Sequence, residues 1–132
     1  MDWKSKTEDY WHSVLSRKRF NICRKGGTEF PHTGKYNSFY EEGIYKCSSC
    51  GLALFSSKHK YNSHTGWPSF WRSISRDAVG YKPDRSYGMM TTEIVCSRCG
   101  AHLGHVFNDG PEPTGKRYCV NSVCLFHERR NF

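Results

Sequence analysis

Cys47-Ser48-Ser49-Cys50-Gly51 and Cys96-Ser97-Arg98-Cys99-Gly100 are near copies of one another, well separated in a chain of 132 residues. A Cys-x-x-Cys turn places two sulfurs on one side of a metal with its backbone amides pointing at them, and two such turns supply the four soft thiolates that tetrahedral zinc prefers. The glycine after each turn lets the chain leave with positive φ. The pattern therefore assigns Cys47, Cys50, Cys96 and Cys99 to one structural zinc ion. Three of the seven cysteines, Cys23, Cys119 and Cys124, are left for chemistry. A thioredoxin-type redox pair is the competing reading of Cys-x-x-Cys. It fits less well, because there are two pairs and neither sits between a strand and a clear helix.

The size and the 36% hydrophobic content suit a single domain over 1–132, with a core from about Thr7 to Phe126, one small enough to benefit from a metal staple. No apolar run approaches the roughly 18 residues that cross a bilayer, and Met1-Asp2-Trp3-Lys4-Ser5-Lys6 does not resemble a signal peptide. The expectation is a soluble, intracellular, cytoplasmic monomer with reduced thiols. The net charge of +8, from 20 Lys+Arg against 12 Asp+Glu, raises nucleic acid as a partner, and a zinc-ribbon nucleic-acid-binding module is the alternative function. The basic residues are spread rather than striped, and Arg17-Lys18-Arg19 reads as a solvated helix face.

Ser5 to Arg24 is the one helical region. Ser5 and Glu8 have capping-box spacing, and Tyr10, Trp11, Val14 and Leu15 form an amphipathic stripe; a second short turn from Ser16 carries Phe20 and Cys23 on one face. After Gly26-Gly27 the chain reads as β-rich, with strands expected at Gly43 to Cys47, Leu52 to Ser56, Tyr87 to Cys96, Leu103 to Phe107 and Arg117 to Phe126. Glu128 to Phe132 reads as a fraying polar tail.

Chemistry concentrates in the last third. On a strand, residues two apart share a face, so Arg117, Cys119 and Asn121 project together. A guanidinium beside a thiol favours the nucleophilic thiolate, and an amide can orient a substrate or an imidazole. A lone strand cysteine is more often an inert buried hydrophobe, but this one has such neighbours. His102 and His105 follow the second zinc turn, and with four thiolates available neither is needed as a metal ligand. Trp67, between Gly66 and Pro68, is placed to present an indole wall to a small apolar group, whereas Phe70 and Trp71 read as core packing.

Several short, ordered motifs carry a family resemblance over about Thr7 to Phe126. They are Gly27-Thr28-Glu29, Pro31-His32-Thr33-Gly34, Gly43-Ile44-Tyr45-Lys46-Cys47, Lys60-Tyr61-Asn62-Ser63, Gly66-Trp67-Pro68-Ser69-Phe70, Gly88-Met89, Gly100 to Pro111 and Gly115 to Ser122. In these the chain resembles the B-type methionine-R-sulfoxide reductases. The resemblance implies a mainly β fold of two antiparallel sheets, tent-like, with short N-terminal helices and a four-cysteine zinc site remote from the reaction centre. It also implies roles. Cys119 would attack a methionine-R-sulfoxide and become sulfenic acid, and His105, with His102 close by, would supply the proton. Trp67 and Phe107 would hold the substrate, while Arg117 and Asn121 would position the thiolate and the histidines.

Many members of that family carry a resolving cysteine immediately before Gly-Trp-Pro-Ser-Phe; this chain has Thr65 there. Cys124, five positions beyond Cys119 on the same expected strand, should face the opposite side. Cys23, just before the Gly-Thr-Glu motif and in a region some family members use, is the favoured resolver. Thioredoxin would then be the reductant, and without an internal resolver an outside thiol would reduce Cys119 directly.

Overall fold

Burial alternates along the segment after Gly43 as a half-buried strand requires, with Gly43, Tyr45 and Cys47 turned inward. The computed structural model describes residues 2–132, with Tyr87 described by its backbone alone. Strand β1 (Gly43–Cys47) pairs antiparallel with β2 (Ala53–Ser56) and β9 (Leu125–Arg129) in a sheet ordered β2-β1-β9. The remaining strands are β3 (Lys60–Tyr61), β4 (Ser69–Phe70), β5 (Val79–Asp84), β6 (Thr91–Cys96), β7 (His102–Phe107) and β8 (Arg117–Val120). They form a six-stranded antiparallel sheet ordered β3-β4-β8-β7-β6-β5. Tyr45, Leu54, Phe55, Phe70, Ile94, Leu103 and Val120 fill the space between the sheets, each with no exposed surface. Phe55 stacks on Phe70 at 4.4 Å between ring centroids, a geometry that adds to simple area burial. The expected fold class, mainly β in two antiparallel sheets with two short helices, is the one observed.

The helical region breaks in two. Helix α1 (Glu8–Val14) is capped by Thr7, whose hydroxyl accepts from Tyr10 N, rather than by Ser5, which lies in a short 3-10 turn of its own. Helix α2 (Arg17–Cys23) starts at Ser16 as expected, and buries Phe20, Ile22 and Cys23. Leu15 and Ser16 are extended, which ends the stripe early and leaves Val14 54% exposed. Strand β5 and the two-residue β3 and β4 carry too little periodicity to be read from sequence.

The strand expected from Arg117 to Phe126 is likewise two strands. β8 stops at Val120, a 3-10 turn occupies Ser122–Cys124, and β9 begins in the other sheet. The cause is local. The buried Glu29 carboxylate accepts from Ser122 N at 2.7 Å and Val123 N at 2.9 Å, taking the amides that a continuing strand would offer to a neighbour. Cys124 therefore does not share a strand with Cys119. Its sulfur lies 2.9 Å from that of Cys23, both side chains buried. At the C-terminal end, Glu128 and Arg129 belong to β9 and pair with Ile44 and Gly43, so the strand runs beyond Phe126 and the expected fraying tail is shorter.

Removing the Glu29 carboxylate strands two amides in the interior, at about 1–3 kcal/mol for each unsatisfied group. Urea denaturation of Glu29→Ala is expected to give a loss of ~2–6 kcal/mol, and of Glu29→Gln a smaller one, since the amide oxygen keeps one acceptor.

Candidate active site

The four cysteines of the paired turns meet. Their ligand sulfurs all lie within 4.8 Å of one another, with Cys47–Cys99 at 3.7 Å and Cys50–Cys96 at 3.5 Å. A tetrahedron with ~2.3 Å metal–sulfur bonds has edges of about 3.8 Å, so the cluster has the dimensions of a four-thiolate metal site. The two turns are built alike. Cys47 O accepts from Gly51 N and Cys96 O from Gly100 N, and both glycines have positive φ, +84° and +80°. Arg24 donates to the sulfur and carbonyl of Cys99, and Arg98 donates to the carbonyl of Cys50, placing two cations where four thiolates would concentrate negative charge. His102 is not part of the cluster.

A second centre lies on the large sheet. Register places Tyr61, Ser69, Cys119, His105 and Glu93 opposite one another in succession across β3, β4, β8, β7 and β6. Directly opposed residues of an antiparallel pair share a face, so this row forms one surface. Above it is a cavity of about 320 Å³ whose walls include Trp67, His105, Phe107, Arg117, Cys119 and Asn121. Cys119 is half-buried, whereas the other six cysteines are buried.

A bulge brings in the second histidine. Gly104 pairs with Ile94 and His102 with Val95, leaving Leu103 as the extra residue of β7. Leu103 drops into the core, and the rings of His102 and His105 come within 5.7 Å of each other. Each has a carboxylate partner: His102 Nδ1 lies 2.6 Å from Glu93, and His105 Nε2 lies 2.8 Å from Asp84. His105 beside it and the Ser86 donors hold the Asp84 carboxyl well below the usual carboxylate range. The two carboxylates fix the orientation of the rings through these contacts.

Arg117 donates through Nε and one terminal nitrogen to both oxygens of Asp109 and lies 4.3 Å over the Phe107 ring. The guanidinium is thus immobilised on the cavity wall. Asn121 is turned to the backbone: its amide oxygen accepts from Glu29 N and its nitrogen donates to Leu103 O. Glu29 O in turn accepts from the Trp67 indole at 3.0 Å. One buried residue thereby joins the tryptophan wall, the asparagine and the turn after Cys119. Cys23 is placed elsewhere, on α2 against Cys124, and is not a wall of the cavity.

The cavity's Cys, His, Trp, Phe, Arg and Asn are legible in the sequence; Glu29, Asp84, Glu93 and Asp109, and the hydroxyls of Ser63, Thr65 and Ser69, are not. Nothing in spacing ties Asp84 to His105 or Glu93 to His102; only strand pairing does. Glu29 carries a signal in the Gly27-Thr28-Glu29 motif.

The molecule is thus a two-sheet β protein with a half-buried thiol and carboxylate-paired histidines at one cavity and a separate four-cysteine cluster. The sequence comparisons are more specific. Residues 15–129 match the SelR domain family. The chain is 53% identical over 120 residues to "Peptide methionine sulfoxide reductase MsrB" of Pseudomonas putida, covering 91% of this chain and 92% of the relative. It is 55% identical over 120 residues to the protein of that name from Methanosarcina mazei, covering 91% and 86%, and 51% identical over 125 residues to that of Pseudomonas fluorescens, covering 95% and 96%. The chain belongs to this family, the B-type methionine sulfoxide reductases.

Burial pushes the Cys119 thiol above its ordinary value, against the pull of the Thr65 hydroxyl, the Arg117 guanidinium and the Ser69 hydroxyl. Burial outweighs the guanidinium, contrary to the simple expectation from Arg117 alone. A raised value means that the reactive form appears only as pH rises. Alkylation of Cys119 by iodoacetamide is expected to climb about tenfold per pH unit to a midpoint above the ordinary ~8.5 of a free cysteine. In Arg117→Ala that midpoint should move higher still, as read by mass spectrometry of the Cys119 peptide.

Proposed function

We propose that this protein reduces methionine-R-sulfoxide, mainly in oxidised proteins, through a Cys119 thiolate. The observation that carries the reading is the half-buried Cys119 directly opposite His105 on the sheet, in a cavity also walled by Trp67, in a chain half identical to relatives named for this activity. In the reaction the Cys119 thiolate attacks the sulfoxide sulfur while His105, held by Asp84, protonates the oxygen. His102, held by Glu93, supports the proton supply. Methionine leaves and Cys119 becomes sulfenic acid, so one oxygen passes from substrate to enzyme and the substrate gains two electrons. Trp67, with Phe107, packs against the methyl group and reads the R configuration. Arg117 favours the thiolate, and Asn121 acts as a positioning residue through Glu29 and Leu103.

Recycling runs through a second thiol. Cys23 condenses with the sulfenic acid, releasing water and forming a disulfide that thioredoxin or another dithiol reduces. Because Cys23 is buried beside Cys124, this step requires displacement of α2 or the turn that follows it.

The four-cysteine cluster would hold zinc. Cys47 and Cys50 belong to the β1–β2 turn of the small sheet and Cys96 and Cys99 to the β6–β7 turn of the large one, so these residues would hold the ion as a structural fastening between the two sheets. Structural zinc binding of ~10–16 kcal/mol is comparable to the whole stability of a small domain, about 5–15 kcal/mol.

Turnover of the separate R and S diastereomers of a blocked methionine sulfoxide tests the function. R-selective reduction is expected, falling to background in Cys119→Ser, while Cys23→Ser keeps dithiothreitol-driven turnover and loses the thioredoxin-driven reaction. Absence of turnover by folded wild type with either reductant would exclude the enzymatic reading. For the metal, elemental analysis should give one zinc per chain, and its removal by a strong chelator should abolish the cooperative thermal transition.

A further inference from the structure

We propose that Thr65 is a positioning residue for Cys119, the terminal member of a reversible chain of hydroxyl hydrogen bonds that turns a donor toward the sulfur when the thiolate forms. The inference rests on the reading that Cys119 is the reacting thiol.

The chain begins at the Trp67 carbonyl, which accepts from Ser69 Oγ at 3.1 Å. Ser69 Oγ lies 2.7 Å from Ser63 Oγ, Ser63 Oγ 2.8 Å from Thr65 Oγ1, and Thr65 Oγ1 3.8 Å from Cys119 Sγ. Ser69 is fully buried and sits opposite Cys119 in register, and Thr65 is part of the cavity wall. The chain is thus built into the floor of the site rather than formed by surface rotors.

Proton counting gives it direction. The path has four links, and three hydroxyls plus a neutral thiol hold four protons, so every link can be made when the thiol donates to Thr65, Thr65 to Ser63, Ser63 to Ser69 and Ser69 to the Trp67 carbonyl. Loss of the thiol proton leaves three protons for four links. If the hydroxyls rotate, Ser69 donates to Ser63, Ser63 to Thr65 and Thr65 to the sulfur, and the unmade link moves to the carbonyl end, farthest from the new charge. No heavy atom has to move. The Trp67 and Thr65 amides also donate to Thr65 Oγ1 and Ser63 Oγ, both at 3.4 Å, occupying acceptor positions while leaving the hydroxyl protons free to point onward.

Other groups face the same sulfur. The Ser69 hydroxyl, opposite on β4, also acts on it directly; Arg117 lies on its own strand, paired with Asp109; His105, paired with Asp84, comes from β7; Tyr61 comes from β3. Of these Arg117 is a fixed cation that acts on the sulfur, but it is shared with Asp109. A donor directed at the sulfur itself supplements it, and hydrogen bonding to a charged form favours that form.

The test is the pH dependence of iodoacetamide alkylation at Cys119 in the full-length, metal-loaded protein, followed on the Cys119 peptide. Thr65→Val, nearly isosteric but without the hydroxyl, is expected to raise the midpoint by about one pH unit, a roughly tenfold loss of thiolate below it; Thr65→Ser should restore it. An unmoved midpoint in folded Thr65→Val overturns the proposal. Should that variant fail to fold, Ser63→Ala decides on the same terms, a raised midpoint supporting the chain and an unmoved one overturning it. Alkylation does not depend on sulfoxide turnover, so a wild-type protein that shows the Thr65 effect yet reduces no sulfoxide would sink the proposed function and leave this inference standing.

Discussion

The meeting of two Cys-x-x-Cys turns is the constraint on which the arrangement of the sheets depends. Cys47 ends β1 in the three-stranded sheet, and Cys96 ends β6 in the six-stranded one, so bringing their sulfurs together fixes the angle and spacing of two layers that are otherwise joined by packed side chains and connecting chain. Four thiols crowded to within 4.8 Å have little reason to cluster without a cation, since each buried sulfur forgoes water and gains only weak sulfur–hydrogen contacts. Arg24 and Arg98 at the edge of the cluster point the same way. With the layers held, the aromatic core of Tyr45, Phe55 and Phe70 can close between them.

The site follows from strand register more than from loop shape. A row of opposed residues carries Cys119 and His105 on neighbouring strands, and a single bulge in β7 sends Leu103 inward so that His102 joins the same surface. Both imidazoles are held by carboxylates from the strands beyond, Asp84 and Glu93. On the other side, Glu29 gathers Trp67, Asn121 and the turn after Val120. Cys119 thus lies between a side of carboxylate-held imidazoles and an apolar wall, with its charge governed by the balance of burial against Arg117 and the nearby hydroxyls.

Much of this was legible in the chain. The zinc-type turns announce themselves through spacing and their trailing glycines, and the alternation Arg117, Cys119, Asn121 follows from the two-residue period of a strand. Strands that are long and alternating, such as β1, were readable almost to the residue. The two-residue β3 and β4 were not, although they carry Tyr61 and Ser69 to the site. The break after Val120 was also hidden, because its cause is a carboxylate ninety-odd residues earlier in the chain. The same break displaced Cys124 from the strand of Cys119 and set it against Cys23.

By itself, then, the sequence determined the β-rich class, the metal-type cysteine set and the grouping of Cys119 with Arg117 and the two histidines as candidate site residues. Those depend on local spacing and residue chemistry, which the order of residues states directly. Tertiary structure alone decided which carboxylate holds which histidine, that Glu29 ties the tryptophan wall to the turn after Cys119, that Cys23 faces Cys124, and that hydroxyls lead to the sulfur. Each of these pairs groups distant in sequence or on different strands, and register and packing, not local periodicity, set their distances.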